Sequence, residues 1–157
     1  MDHYIEVAFY ILVFILASIL TDPAVMYAGE VEVSQSDIVV ATLILEAGGE
    51  YAEGAMEAVH EVILNRSAIR QMTPAEVCLQ PHQFASWSVE DQLAQLNKAK
   101  SHPRWGEAFI ITLYPQTNYT SGADHFHADH IDPSWNKHMK VTAKIGRHIF
   151  YKQKENQ

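Results

Sequence analysis

Glu46 ends an apolar run that two glycines, Gly48 and Gly49, then interrupt. In a helix ending at this point, the carboxyl group faces apolar neighbours and the negative end of the helix dipole. Both surroundings disfavour the ionised form and raise the pKa of the carboxyl group. An acid that stays protonated near neutral pH can protonate a leaving oxygen, as glycosidic bond cleavage requires. The sequence equally allows a carboxylate at a solvated helix end.

A second carboxylate, Glu50, follows four residues after Glu46. In an uninterrupted helix the two side chains would share a face, but the glycine pair breaks that register. We therefore expect Glu50 to have a capping or structural role, with support of catalysis as the alternative. Hydrolytic glycosidases generally need two carboxylates about 5–10 Å apart. No other acid in the sequence is an obvious partner for Glu46.

Five predicted helices position these carboxylates. They cover residues 36–47, 53–70, 73–79, 88–98 and 105–113, with Ser36, Thr73 and Ser88 as N-caps. The first helix is apolar on nearly all sides and is expected to lie at the centre of the domain.

The polar and apolar patterns of two of these helices predict their faces. In the second helix the side chains expected to face solvent are Glu53, Glu57, Glu61 and Arg70. In the fifth helix, apolar side chains recur every four residues at Trp105, Phe109 and Leu113.

The C-terminal third changes to the alternating pattern of strands. Residues 124–128 and 147–151 are short, aromatic and alternating, and Gly146 precedes the second segment. These segments predict a small antiparallel hairpin that forms one wall of a cleft. The expected fold class is therefore α+β, dominated by helices.

Residues 7–20 form an apolar run without a charge. Such a run is shorter than the roughly 20 residues that span a bilayer, and it suits a signal peptide or a short membrane anchor. We expect a signal peptide or anchor at 1–28, a linker at 29–36, a catalytic domain at 37–152 and a polar tail at 153–157. The protein would then be exported or membrane-anchored, facing the periplasm or cell wall.

Composition excludes several classes of function. The net charge of −8 argues against nucleic-acid binding. The single cysteine, Cys78, excludes an internal disulfide. We expect the protein to need neither a cofactor nor a resident metal.

Six ordered sequence blocks resemble the SleB-type cell wall hydrolases, which include spore cortex-lytic enzymes. The resemblance extends from Asp37 to about Lys152. The blocks are Leu-Glu-Ala-Gly-Gly-Glu at 45–50, Val-Ile-Leu-Asn-Arg at 62–66, Gln-Phe-Ala-Ser-Trp at 83–87, Gly-Ala-Asp-His-Phe-His-Ala-Asp at 122–129, Pro-Ser-Trp at 133–135 and Ile-Gly-Arg-His-Ile-Phe-Tyr at 145–151.

This resemblance implies a lysozyme-like fold that acts on the glycan strands of peptidoglycan, with Glu46 on the catalytic glutamate. Members that are lytic transglycosylases use one carboxyl group to break the bond between N-acetylmuramic acid and N-acetylglucosamine, and a 1,6-anhydro ring closes within the N-acetylmuramoyl residue. A hydrolytic muramidase is the alternative on the same bond. The small size and the short apolar segment suit a phage lysis protein, or endolysin, and a bacterial enzyme that remodels its own wall is the alternative. Sugars also need aromatic platforms and fixed polar groups, for which the candidates are Gln83, Phe84, His125, His127 and Trp135.

Two further functions compete with glycan cleavage. The residues His125, His127, His130, Asp129, Asp132 and His148 have the ligand types of a zinc site, so a zinc-dependent peptidoglycan amidase is an alternative enzyme. The other alternative is a membrane-attached domain that only binds glycan. An acid placed inside the domain at Glu46 favours an enzyme, because a binding module has no use for it.

Overall fold

The computed structural model describes residues 33–116 and 118–154, and its core is built from five α-helices and a small sheet. The α+β class with dominant helices is confirmed. In chain order the elements are α1 Gln35–Ala47, α2 Ala55–Arg70, α3 Pro74–Leu79, a 3₁₀ turn Ala85–Trp87, α4 Gln92–Lys100, α5 Trp105–Leu113, β1 His125–Ala128, a second 3₁₀ turn Ser134–His138, β2 Met139–Ile145 and β3 His148–Gln153.

Helix α1 is the central element, as its apolar composition predicts. Val40, Ala41 and Leu43 are fully buried, and the helix contacts α2, α3, α4 and α5. Its N-cap is Ser34, two residues before the predicted Ser36, and the Ser34 hydroxyl accepts a hydrogen bond from the Asp37 amide at 3.1 Å. The other end of α1 carries Glu46 in its last turn.

The predicted solvent face of α2 is wrong at one position. Glu61 is only 4% exposed, because the loop before β1 folds over it. Its carboxylate accepts a hydrogen bond from the backbone N–H of Thr120 at 2.9 Å. A buried carboxylate needs such a donor, and the donor lies 59 residues further along the chain. The loop is thereby attached to α2.

The N-cap predicted from the sequence is confirmed for α3 and is wrong for α4. Helix α3 begins as predicted with a capping box, in which Thr73 and Glu76 exchange side-chain and backbone hydrogen bonds. Helix α4 begins at Gln92 instead of after Ser88. Its cap is Asp91, whose carboxylate accepts from the Ala94 amide at 2.8 Å.

Helix α5 has the predicted bounds but a different buried face. The four-residue repeat leaves Phe109 38% exposed and Leu113 54% exposed. The buried positions are Ala108 and Ile111. Because Ala108 is small, it allows α5 to lie close to α1 and α2. The buried face of α5 is therefore the one that permits this close contact, and not the one with the largest apolar side chains.

The sheet has three antiparallel strands in the order β1-β3-β2, where the sequence analysis expected a hairpin of two. The predicted pairing of β1 with β3 is confirmed, with His125 opposite Tyr151 and Ala128 opposite His148. The missed strand β2 pairs with the other edge of β3 and contains an irregularity between Val141 and Ala143.

One face of the sheet packs on the helices. Phe150 is fully buried with Ala58 and Val62 of α2, and Phe126 packs against the same cluster and against the core around α1. Because side chains alternate along a strand, His125 and His127 of β1 lie on the opposite face. The sheet thus has a helix-facing side and an outer side with different side chains.

The predicted export or anchor segment at 1–28, the first half of the linker and the last three residues of the tail lie outside the described residues. The domain boundaries therefore stay predictions. Within the described ranges, none of the helices combines the length and the apolar character that crossing a membrane requires.

Candidate active site

A groove of about 370 Å³ lies between the C-terminal end of α1 and the sheet. Helix α1 and the turn after it form one wall, and the adjoining ends of β1 and β3 form the other. This arrangement agrees with the expectation that the sheet borders a cleft. The lining residues are Leu45, Glu46, Gly49, Glu50, Ala128, His130, Arg147 and His148.

Glu46 is half-buried in this groove, and among the described residues its one side-chain donor is neutral. The Ser86 hydroxyl donates a hydrogen bond to Oε1 of Glu46 at 2.7 Å. Burial raises the pKa of the Glu46 carboxyl above its ordinary value, and the bonds from Ser86 and the charge of Arg66 oppose this to a lesser degree. The raised pKa favours a protonated acid facing the groove.

The donor Ser86 is held by the 3₁₀ turn Ala85–Trp87. The Trp87 indole donates to the hydroxyl of Thr42 in α1 at 2.8 Å, and the Gln95 amide of α4 donates to the carbonyl of Ser86 at 3.0 Å. Contacts with α1 and α4 therefore fix the turn. The fixed turn determines where the Ser86 hydroxyl lies.

Glu50 connects the turn after α1 to the β2–β3 hairpin. Its Oε2 accepts from the backbone N–H of Arg147 at 3.0 Å and from the Arg147 guanidinium at 3.3 Å. Its Oε1 accepts from the Ala52 N–H at 3.3 Å. The backbone donor of Arg147 is the main cause that holds the pKa of the Glu50 carboxyl below its usual range.

Gly146 makes the approach of Glu50 to the hairpin feasible. Its φ is +55°, a conformation that L side chains rarely adopt. A Cβ at this position would lie 2.5 Å from the carboxyl carbon of Glu50. A glycine is therefore required both for the turn and for the close contact.

Arg104 stabilises the same turn from the side of α5, and the sequence analysis did not single it out. Its guanidinium donates to the carbonyls of Gly48 at 3.2 Å and Glu50 at 2.7 Å. It also pairs with Glu107 at 2.7 Å. A cation at the C-terminal end of a helix satisfies carbonyls that lack partners within the helix.

Arg66 braces the fold beneath Glu46, and its ring partner is one of the predicted sugar-binding residues. The Arg66 guanidinium donates to the carbonyl of Asp124 at 2.6 Å and lies 5.2 Å from the ring centre of Phe84. Burial lowers the pKa of Arg66 to about 10. Phe84 is only 2% exposed, so its ring has no free face on which a sugar could stack.

The predicted site residues thus separate into two groups. Glu46 and Glu50 share the groove, whereas Gln83 does not line it and Phe84 belongs to the core. The remaining candidates, His125, His127 and Trp135, do not line it either.

These three candidates form an aromatic cluster on the outer side of the sheet. The indole of Trp135 lies 5.3 Å from the ring of His125 and 5.5 Å from that of His127. His127 donates from Nδ1 to the Ala128 carbonyl at 2.9 Å, and its Nε2 accepts from the Tyr151 hydroxyl at 2.8 Å. Both nitrogens of His127 are therefore engaged within the protein.

No group of three or more potential metal ligands is arranged to hold an ion among the described residues. The ligand set considered for a zinc amidase is divided, since His130 and His148 line the groove while His125 and His127 pack with Trp135. The geometry of the described residues thus gives the amidase alternative no support.

Sequence reasoning missed Ser86, Arg104 and Arg147 as parts of this site. Ser86 and Arg147 lie within segments that resemble the cell wall hydrolases, so their positions contained a signal. The sequence contained no such signal for Arg104, because an isolated arginine before a helix is usually solvent-exposed. Its role depends on carbonyls more than 50 residues away.

The comparison with protein families decides the wider classification. The profile of a family described as Cell Wall Hydrolase matches residues 49–151, about two thirds of the chain. The chain belongs to this family of cell wall hydrolases. The match confirms the family predicted from the sequence blocks. It begins three residues after Glu46, so the assignment of the acid depends on the geometry of the groove.

This cell wall hydrolase is also similar to a solved structure, the catalytic domain of the SleB protein of Bacillus cereus. The identity is 21%, the TM-score is 0.49, and the alignment covers 80% of this chain and all of the other. A comparison with curated proteins gives no match.

Proposed function

We propose that this cell wall hydrolase cleaves the glycan strand of peptidoglycan between N-acetylmuramic acid and N-acetylglucosamine, as a lytic transglycosylase with Glu46 as its single catalytic acid. The observation that carries the proposal is the contrast within the groove. Burial raises the pKa of Glu46, while the other groove glutamate is fully engaged with backbone and guanidinium donors. One carboxyl group is thus available for proton transfer.

The reaction needs only this group. Protonated Glu46 donates its proton to the glycosidic oxygen, and the bond between that oxygen and C1 of the N-acetylmuramoyl residue breaks. The Glu46 carboxylate then removes the proton from the C6 hydroxyl of the same sugar. The freed oxygen bonds to C1 and closes the 1,6-anhydro ring. Glu46 ends the cycle protonated, and no water is consumed.

A hydrolytic mechanism would need a second free carboxylate. In inverting enzymes this group activates a water, and in retaining enzymes it attacks the sugar. Glu50 is the nearest candidate along the chain, but its two oxygens accept three hydrogen bonds from Ala52 and Arg147. Activating a water would require it to give up these contacts. This favours the single-acid mechanism over the muramidase.

Mass spectrometry of the products from purified sacculi tests the proposal. We expect disaccharide-peptides that end in 1,6-anhydro-N-acetylmuramic acid. Reducing ends would show a hydrolytic muramidase, and free stem peptides would show an amidase. Either result would overturn the assignment of a transglycosylase, and intact sacculi after prolonged digestion would overturn glycan cleavage itself.

We further propose that the protein reaches the wall by export or membrane anchoring through residues 7–20. The support is the uncharged apolar run in the sequence. Fractionation of cells expressing the whole chain, and of cells expressing residues 29–157, tests this. The whole chain should lie outside the cytoplasm or in the membrane fraction. Equal distribution of both proteins in the cytoplasm would refute it.

A further inference from the structure

His148 differs from the other histidines of the sheet in having no hydrogen-bond partner among the described residues. The imidazole of His125 pairs with Asp124 at 2.9 Å, and both nitrogens of His127 are engaged. In His148, by contrast, Nδ1 is buried and unpaired. An unpaired polar atom in the interior is costly, so hydrogen bonds to the described residues do not account for an imidazole at this position. Because Nδ1 is buried, Nε2 is the nitrogen of His148 that a ligand in the groove would meet.

The ring of His148 is held in the groove by packing. It lies edge-on to Phe126 at 5.4 Å with an interplanar angle of 86° and packs near Phe150 at 6.3 Å. Its cross-strand neighbour is Ala128, which also lines the groove. Because alanine is small, the groove side of the imidazole is not covered by the neighbouring strand.

His148 is also tied to the turn that follows the catalytic acid. The residue before it, Arg147, binds Glu50 through both its backbone and its side chain. Glu46, Glu50 and His148 line one groove from two walls. The contact between Glu50 and Arg147 therefore keeps the imidazole wall and the carboxyl wall in a fixed relation.

We infer that His148 is a substrate-binding residue of this groove, whose imidazole forms a hydrogen bond with a hydroxyl or N-acetyl amide group of the sugar bound beside Glu46. The inference rests on the proposed function, since it assumes that glycan occupies the groove. It replaces His125 and His127, the histidines that sequence reasoning favoured, with one on the helix-facing side of the sheet.

The groups around His148 favour its neutral imidazole, which can bind an uncharged ligand. Burial lowers the pKa of His148, Glu50 and Asp129 oppose this, and Arg147 adds to it. Glu46 and His130 complete the titratable groups of the groove. A neutral imidazole has one N–H donor and one acceptor nitrogen, which matches the hydroxyl and amide groups of amino sugars.

This role predicts the shape of the pH profile. Turnover needs protonated Glu46, so activity falls as the pH rises through the raised pKa of that carboxyl. It also needs neutral His148, so activity falls as the pH decreases through the lowered pKa of the imidazole. The acid limb of kcat/KM should therefore require His148, and the alkaline limb should require Glu46.

The variants His148→Phe and His148→Gln test the inference on the whole protein. Phenylalanine keeps the ring packing and removes both nitrogens, and we expect kcat/KM on sacculi to fall about tenfold, the value of one hydrogen bond, with loss of the acid limb. The melting temperature should stay the same or rise. Glutamine should restore part of the activity without the acid limb. His138→Phe, at an exposed position outside the groove, is the matched control.

A binding measurement removes the dependence on turnover. In Glu46→Gln, a glycan fragment of alternating N-acetylglucosamine and N-acetylmuramic acid should shift the ¹⁵N signals of the His148 ring and leave those of His138 unchanged. If Glu46→Gln is inactive while His148→Phe keeps full activity and its acid limb, the inference is wrong and the proposed function stands. If Glu46→Gln keeps its turnover, the proposed function itself fails.

Discussion

The last turn of α1 and the segment just after it place two glutamates in the same groove with opposite electrostatic results. Among the described residues, Glu46 has donors only from Ser86, through its hydroxyl and its backbone, and burial outweighs them and raises the pKa of the carboxyl. Glu50 has two backbone donors and a guanidinium, and these lower the pKa of its carboxyl. The same side chain is suited to proton transfer in one place and to holding the fold in the other.

The comparison teaches that donors, and not exposure alone, decide the state of a carboxyl group. The side chain of Glu50 is only 14% exposed, yet its pKa is lowered, because hydrogen bonds to the ionised form outweigh the effect of burial. Around Glu46 the effect of burial outweighs the hydrogen bonds, and the pKa is raised. One groove can therefore contain a carboxyl group suited to proton transfer and, a few residues away, an ionised carboxylate that stabilises the fold.

Replacement of Glu46 should have the largest effect. We expect Glu46→Gln to lower the rate of release of soluble fragments from sacculi by about 10²–10⁴-fold, the usual contribution of a general acid. Circular dichroism should show the fold of the wild type. Activity close to that of the wild type would remove Glu46 from its role.

The Glu50–hairpin contact should be broken most severely by Gly146→Ala. The new Cβ meets the Glu50 carboxyl group, and a positive φ costs a non-glycine residue about 1–2 kcal/mol. Urea denaturation should show at least this loss in the free energy of unfolding, together with reduced activity. The control is Gly106→Ala in α5, where a Cβ meets nothing within 4 Å and alanine favours the helix.

Glu50→Gln should weaken the contact more gently, and we expect a loss of activity of less than about tenfold, the value of a single hydrogen bond. The folded-state pKa of Glu50 is lowered. Its charge therefore stabilises the fold above the unfolded pKa, near 4.5, and this contribution is lost as the pH falls through the folded pKa. The variant should lose less stability than the wild type on acidification below about pH 4.5. Identical acid unfolding curves would contradict this.

Removing the side-chain donor of Glu46 should increase the difference between the pKa values of Glu46 and Glu50. The Ser86 hydroxyl lowers the pKa of Glu46, so Ser86→Ala should raise it further. The alkaline limb of kcat/KM should then move to higher pH in a profile measured on sacculi. Ser88→Ala, outside the Glu46 contacts, is the control. A shift to lower pH would show that Ser86 does not act on the acid.

The smallest expected effect concerns stability. Because the folded state raises the pKa of Glu46, ionisation of this carboxyl destabilises the fold as the pH rises from the unfolded pKa through the folded one. Glu46→Gln removes this cost. Its melting temperature should exceed that of the wild type at pH 7 and equal it near pH 4. A variant that melts lower at pH 7 would contradict the burial of an acid.

Elements with local signals were predictable. The Thr73 capping box begins α3 where predicted, and the alternating aromatic segments became β1 and β3 in the expected pairing. Strand β2 was missed although Met139–Ile145 alternates apolar and polar residues. The start of α4 was also misplaced, because Ser88 and Asp91 are both competent caps and only packing of the preceding turn selects one of them.

The site was predictable only in part, for a physical reason. The sequence alone determined the family, the apolar helix that carries Glu46 in its last turn and the glycines that separate this residue from Glu50. The tertiary structure decided which glutamate has a raised pKa and which a lowered one, because the donors come from Ser86, 40 residues further on, and Arg147, 97 residues after Glu50. It also decided that His148 lines the groove while His125 and His127 do not, since pairing of β1 with β3 sets His148 beside Ala128. A pKa depends on neighbours in space, and those neighbours are brought together only by folding.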